Sequence, residues 1–275
     1  MRLPLLTSAL MATAALVSVS KGAVTVYSTG FEFGEGTTLG AKLDGQLGWS
    51  VNNSAGNDDA SYVINPGASW GRAATLGYTA TVANSEVYVS HTAYDVPLDG
   101  SMFSVKFQVV DSVSDTSGVG RDTFGFRLEN GFGDNLLSIF LTPFDQDPDP
   151  DTDTLFNTFS WSTGAGAATS VLGGFSAQES FAYTLSIAFS LSGANDISFL
   201  ADVNGSQFSG VLAGLGAEDI STMGAFWDIN NIADPGSNFL VFDDVTLSAN
   251  VIPEPSVALL GLAGLGAGLL RRRRS

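Results

Sequence analysis

The chain of 275 residues contains no cysteine. Disulfide bonds, thiolate catalysis and cysteine-ligated zinc or iron–sulfur centres are excluded at once. There is a single histidine, His91, so a serine–histidine–aspartate triad would have to be built on that residue. His91 continues the alternation of Val87 and Val89 at a strand end, with no nucleophile-elbow pattern nearby, and it reads as a structural histidine. Positive charge is scarce: 11 Lys and Arg stand against 28 Asp and Glu, for a formal net charge of −17. Arg2 and Arg271 to Arg274 lie in the terminal segments, as does Glu254, which leaves six basic and 27 acidic residues in the body, a net −21. Such a surface repels phosphate backbones and anionic lipid. Nucleic acid is thereby excluded as a partner, whereas divalent cations and neutral ligands such as glycans remain compatible. No amphipathic helix of useful length is present; at most Ala217 to Met223 suggests one short turn.

Glycine (32 residues) and phenylalanine (19) are plentiful, and only 14% of the residues are charged. That mixture suits many short strands joined by turns. Period-two alternation is plain in Ser101 to Val110, where Phe103, Val105, Phe107 and Val109 share one face. It recurs in Phe181 to Phe189, Phe124 to Leu128 and Ile197 to Val203. Half-buried antiparallel strands carry this pattern. Asp99-Gly100, Asn130-Gly131, Ser192 to Asn195 and Asn204-Gly205 separate them, the last as a tight hairpin. About a dozen strands without helices predict an all-β fold, a two-sheet antiparallel β-sandwich spanning residues 24–250 as one domain.

The two ends read differently from the body. Arg2 precedes an apolar run from Leu3 to about Val19, and the small residues Ser18 and Ser20 suit cleavage after Ser20, with Ala23 as a second candidate. This is the pattern of a secretory signal peptide over residues 1–20, helical in its apolar part. The C-terminus joins Pro253, Glu254 and Pro255 to an apolar stretch and then to Arg271, Arg272, Arg273 and Arg274. Residues 256–270 are expected to form a short transmembrane helix; Val257 to Leu270 alone would reach about 21 Å against a hydrocarbon core of roughly 30 Å. The arginine cluster would hold the cytoplasmic side and set the orientation. Two prolines fix φ and keep the segment before the span extended.

This order of features over residues 253–275 resembles the PEP-CTERM sorting signal of exported bacterial proteins. The resemblance implies a processing partner, an integral-membrane enzyme of the exosortase type, that recognises Pro253, Glu254 and Pro255. It also implies only transient residence in the inner membrane. The short, glycine-diluted span then serves as a temporary hold.

The body opens with STGFEFGEG and closes with NFLVFDDVTLSA. Phe-Glu near the first strand and Asp-Asp-Val in the last resemble the concanavalin-A-like jelly-roll sandwiches, and among them certain carbohydrate-binding modules and laminin-G-like domains. The resemblance implies that the first and last strands pair and that acidic residues from both ends hold a structural calcium ion. Carried over, these are Glu32, Asp243 and Asp244. Parity offers independent support: Phe239, Val241, Val245 and Leu247 share odd numbering with Asp243, so Asp243 is expected on the core face of the last strand. A buried carboxylate is costly unless paired or bound to metal, and calcium takes six to eight oxygen ligands.

Other acidic stretches are weaker. Asp145 to Asp153 alternates aspartates, but Pro148 and Pro150 interrupt it and the glycine and glutamate of an EF-hand loop are missing. It reads as a solvated loop, and Asn57 to Asp59 likewise. A jelly-roll glycosidase needs two carboxylates facing a cleft. Glu86, Glu129 and Glu179 are available, yet no Glu-x-Asp-x-x-Glu strand motif occurs. Trp49 and Trp227 sit among apolar neighbours and belong in the core. Trp70, between Pro66-Gly67 and Gly71-Arg72, is the candidate for a ligand-binding face. The sequence thus predicts an exported, non-catalytic protein of the cell surface or extracellular matrix, structural or adhesive in role. A glycan-binding lectin-like module is the first alternative and a jelly-roll polysaccharide hydrolase the second.

Overall fold

The computed structural model describes residues 22–53, 61–77, 85–110, 123–142, 155–156, 158–164, 170–171, 177–178, 181–229 and 239–251. The signal segment, the Pro253 to Pro255 motif, the span 256–270, Arg271 to Arg274, Glu179 and the acidic loop 145–153 lie outside them. Val24–Ala249 forms one compact unit; the other, Met1–Ala23 with Asn250–Ser275, falls almost entirely outside the described residues.

The body is built of strands β1 (Gly22–Thr29), β2 (Trp49–Asn53), β3 (Ser61–Gly67), β4 (Gly71–Gly77), β5 (Ser85–Pro97) and β6 (Ser101–Val110). These are followed by β7 (Thr123–Glu129), β8 (Asn135–Thr142), β9 (Leu155–Phe156), β10 (Thr158–Ser162), β11 (Ser170–Val171) and β12 (Ala177–Gln178). The chain completes with β13 (Tyr183–Leu191), β14 (Ile197–Val203), β15 (Ser206–Leu212), β16 (Asp219–Ile229) and β17 (Phe239–Val251). One sheet has eight strands in the order β15-β14-β13-β6-β17-β4-β3, with β1 as a further partner of β17. The other has seven, β11-β10-β8-β7-β16-β5-β2, and β12 pairs with β9 apart from both. The two large sheets form an antiparallel sandwich, and the first and last strands pair as expected.

Alternation builds the core. Phe103, Val105, Phe107 and Val109 of β6 face Phe124, Phe126 and Leu128 of β7 across the interior, all buried. Ring contacts run through the middle: Phe107 lies 5.6 Å from Phe126, Phe126 6.4 Å from Phe242, and Phe242 5.6 Å from both Trp49 and Phe31. Each fully buried aromatic stabilises the fold by about 2–3 kcal/mol through area alone. The Asn204-Gly205 hairpin is present, with φ of 48° and 92° at its two central residues and Val203 paired to Ser206. Two positive φ values give the turn whose twist matches its strands.

Three expectations need correction. Phe181, placed in a strand by its parity, precedes β13 and is 58% exposed. Ala217 to Met223 makes no helical turn, because Asp219 begins β16 and pairs with Pro97. In β17 the odd-numbered face is not one face. The register against β6 shifts between Asp243 and Thr246, so that β17 carries one residue more than β6 there. Asp244 takes a φ of 49° at this β-bulge. Leu240 and Phe242 before it, and Val245 and Leu247 after it, face the main core. Val241 and Asp243 therefore point to the opposite side of the sheet.

Candidate functional site

The bulge places Asp243 in a small structure on the outer side of the eight-stranded sheet. Trp70, Ala73 and Val241 form a separate buried cluster there, with Ile64 and Phe239 packed against it. The β3–β4 turn carries Ser69 and Trp70 beside β6. The Lys106 ammonium, opposite Asp243 in the register, donates to the Ser69 carbonyl at 3.0 Å and sits 4.1 Å from the Trp70 ring centroid. It reaches Asp243 Oδ2 only at 4.0 Å. Asp243 is 3% exposed, and its Oδ1 is buried without a hydrogen-bond partner. Burial pushes its pKa up to about 7; the negative charges of Asp244 and Glu32 add to this, and the Asp244 backbone and Lys106 oppose it.

Glu32 arrives from the other end of the chain. Phe31 takes a φ of 53°, and the 3-10 turn Phe33–Glu35 follows. The Glu35 carboxylate accepts from Thr29 Oγ1 and the Glu32 N–H, each at 3.0 Å, and from the Gly30 N–H at 3.1 Å. This clamp points Glu32 toward the start of β4, where its Oε1 accepts the Arg72 N–H at 3.4 Å. Gly71 sits at φ 65°, a conformation that L side chains rarely adopt, and a Cβ there would displace that carboxylate. Arg72 extends to the Thr37 carbonyl at 2.6 Å and stacks 5.0 Å from Phe33.

The three acidic residues singled out in the sequence are thus neighbours. All lie around Gly30: a Cβ there would stand 3.4 Å from Asp244 Oδ1, 3.6 Å from Asp243 Oδ1 and 3.7 Å from Glu32 Cγ. Their donor chemistry suits a hard, oxygen-binding cation, and the orphaned Asp243 Oδ1 is an acceptor that such an ion would satisfy. As arranged, though, the Glu32 carboxylate is turned to the Gly71–Arg72 backbone. Among the described residues no three Asp, Glu or His side chains converge into a ligand set.

Trp70 does not form an open binding face. It is 7% exposed, with Lys106 over its ring and Ala73 and Val241 beside it. Its glycine- and proline-rich surroundings suggested a free loop, but the neighbouring β6 lysine covers it. His91 is buried, with Nε2 3.0 Å from the Leu47 carbonyl and the Tyr27 ring 4.2 Å away. Burial lowers its pKa, against the opposing pull of the Leu47 carbonyl. Trp49 and Trp227 lie in the core.

A second polar cluster, unannounced by the sequence, lies on the outer side of the seven-stranded sheet. The Arg127 guanidinium takes Glu86 in a bidentate pair, with Nη1 at 2.9 Å and Nη2 at 2.5 Å, and reaches Glu129 at 3.8 Å. It stacks over Tyr88 at 5.1 Å and Phe226 at 4.7 Å. Phe140, Gly125, Phe226 and Tyr88 follow one another across four strands in register, an aromatic row with a glycine gap. Tyr88 and Phe226 are buried beneath the arginine. Burial raises the Glu129 pKa against the pull of Arg127, and raises that of Tyr88 further, with the Glu129 charge adding to it. For Arg127 burial works against the charge, yet the Glu86 pair overcomes it and the net shift is upward. Alternation with Phe124, Phe126 and Leu128 puts Arg127 and Glu129 on one outward face, but only the pairing of β5, β16 and β7 brings Glu86 beside them.

No protein-family model matches the sequence, and a search of curated proteins finds no relative. Solved structures do resemble the fold. An endo-1,3-beta-glucanase from Streptomyces sioyaensis is 10% identical with a TM-score of 0.51, covering 82% of this chain and 96% of that one. The carbohydrate esterase vb_24B_21 from Shiga toxin-encoding bacteriophage phi24B is 16% identical, over 84% and 100% of the two chains, with a TM-score of 0.48. Peanut lectin is 8% identical, over 84% and 99%, with a TM-score of 0.46. At these identities the likeness is one of architecture, the jelly-roll sandwich.

Proposed function

We propose that this protein is an exported, non-catalytic β-sandwich of the cell surface or extracellular matrix, structural or adhesive in role, that engages glycans. The observation that carries the non-catalytic part is the Arg127 cluster. Glu86 and Glu129 are carboxylates that a jelly-roll hydrolase would use, and they sit on one face within reach of a single guanidinium. Hydrolysis needs open space between two such groups for the glycosidic oxygen and a water. Here Arg127 stands between them and is itself stacked on Tyr88 and Phe226. The arrangement commits its carboxylates to one half-buried cation.

The glycan part is supported by the charge of the body, which disfavours anionic partners, and by the sandwich architecture. Within this reading, Glu32, Asp243 and Asp244 are the place for a structural calcium ion. The tail carrying Pro253, Glu254 and Pro255 is the handle that an exosortase-type enzyme removes after export. A screen for reducing-end release from polysaccharides, run beside a glycan array on the full chain, tests the central claim. Binding without release is expected. Release that disappears in Glu129→Gln would make the protein a hydrolase and end this reading.

A further inference from the structure

We infer that the outer face of strands β6, β13, β14 and β15 is a docking surface for a neutral polysaccharide chain. The inference rests on the glycan-engaging reading above and gives it a location and a ligand class. Met102, Ala188 and Leu200 stand side by side in register on three adjacent strands, and the row ends at Ser209. Met102 is 43% exposed, Leu200 47% and, one row further, Val211 54%. Inward-facing partners fill the core, so these outward aliphatics serve no internal packing.

Rows of hydroxyls flank the aliphatic row on both sides. Ser104 and Ser186, 3.2 Å apart, lie to one side in a row that continues to Asp202 and Gln207, and the paired Ser190 and Ser198 lie to the other in a row that ends at Val211. Rows two residues apart along a strand are separated by about 7 Å, and strands by about 4.8 Å. The face is therefore an apolar strip roughly as wide as a sugar ring, with hydrogen-bonding groups along both edges. An open depression of about 590 Å³ lies over it, lined by Ala188, Ser190, Ser198, Leu200, Ser209 and Val211.

Charge selects the occupant. The protein is strongly acidic, yet β6, β13, β14 and β15 carry two charged residues between them, Lys106, which is held against the Ser69 carbonyl and the Trp70 ring, and Asp202. The Asp202 carboxylate is engaged in the hairpin, accepting from the Gly205 N–H at 2.8 Å and Gln207 Nε2 at 3.1 Å. A cationic partner would find no free carboxylate here, and an anionic one would meet the repulsion of the surrounding body. A second copy would bring another acidic body alongside. A neutral sugar chain meets none of these penalties: its C–H face covers the aliphatic strip and its edge hydroxyls meet the serines.

The test is a pull-down of the full chain on two insoluble neutral probes, cellulose and β-1,3-glucan, with soluble alginate as the anionic comparison. Leu200→Asp places a charge on the strip and Val211→Asp one in the row beside it, both at exposed positions, and thermal melting checks that both variants fold. Retention on at least one neutral probe is expected, with a fall of about tenfold or more in each variant. Retention that survives both substitutions would keep the glycan reading and overturn this site. No retention of the wild-type chain on any neutral probe, with none on the glycan array, would overturn both. Dimers in solution that Leu200→Asp dissolves, without neutral-probe retention, would assign the face to a second copy instead.

Discussion

Asp243 concentrates the electrostatic cost of this fold in one side chain. Its carboxylate is buried, touches its nearest cation only at 4.0 Å, and leaves Oδ1 unsatisfied. Its folded pKa, about 7, lies above the value of an unfolded aspartate, near 3.9. Between those values the folded state binds the proton more tightly than the unfolded state, so this group makes stability fall as pH rises from about 4 to about 7. Above that range the loss is complete and constant. Asp243→Asn removes the ionisation. In the presence of chelator it should gain stability over wild type progressively across that window in urea melts and hold a constant difference above it. Parallel stability profiles for wild type and variant, with no pH-dependent gap, would show that the buried carboxylate is already neutralised.

The element that matters most is the bulge in β17. One additional residue moves Asp243 off the core face and gives Asp244 a φ of 49°. A left-handed conformation in a non-glycine residue costs of order 1 kcal/mol. Asp244→Gly should therefore stabilise the metal-free protein by about 0.5–1 kcal/mol. If the bulge exists to present oxygen ligands, the same substitution removes one. Wild type should then melt higher with calcium than with chelator, and Asp244→Gly should lose most of that gain. A wild-type melting temperature indifferent to both calcium and chelator would rule the ion out, leaving Lys106 as the carboxylate's counter-charge among the described residues.

Across the whole molecule, charge is distributed by segment. Basic residues cluster at the C-terminal end and are sparse elsewhere, so the body is more acidic than the chain as a whole. A permanent anchor would use a longer apolar span than residues 256–270 supply. Under the proposed export and processing, mass spectrometry of protein recovered outside the cell should find a chain shortened at both ends, beginning after Ser20 or Ala23 and lacking the Arg271 to Arg274 cluster. Glu254→Ala should leave the long form in the membrane fraction. An exported chain still ending in Ser275 would refute the processing.

Much of the architecture was readable in the residues themselves. Alternation in β6, β7, β13 and β14 fixed which side chains point inward, because strand geometry has a period of two. Asn204-Gly205 named its own turn, since few residues accept two positive φ values. The absence of cysteine excluded thiol chemistry, and the acidity of the body set the expectation that its partners are not anionic. The bulge could not be read, because Phe239 to Phe242 are all apolar and alternation is silent there. Parity taken from Val245 and Leu247 then ran through one residue too many. That Lys106 covers Trp70, that Arg127 stands between Glu86 and Glu129, and that the Glu32 carboxylate turns from Asp243 and Asp244 to the Gly71–Arg72 backbone are outcomes of tertiary structure. They depend on which strands lie side by side, and contacts between residues distant in the chain leave no period in the sequence.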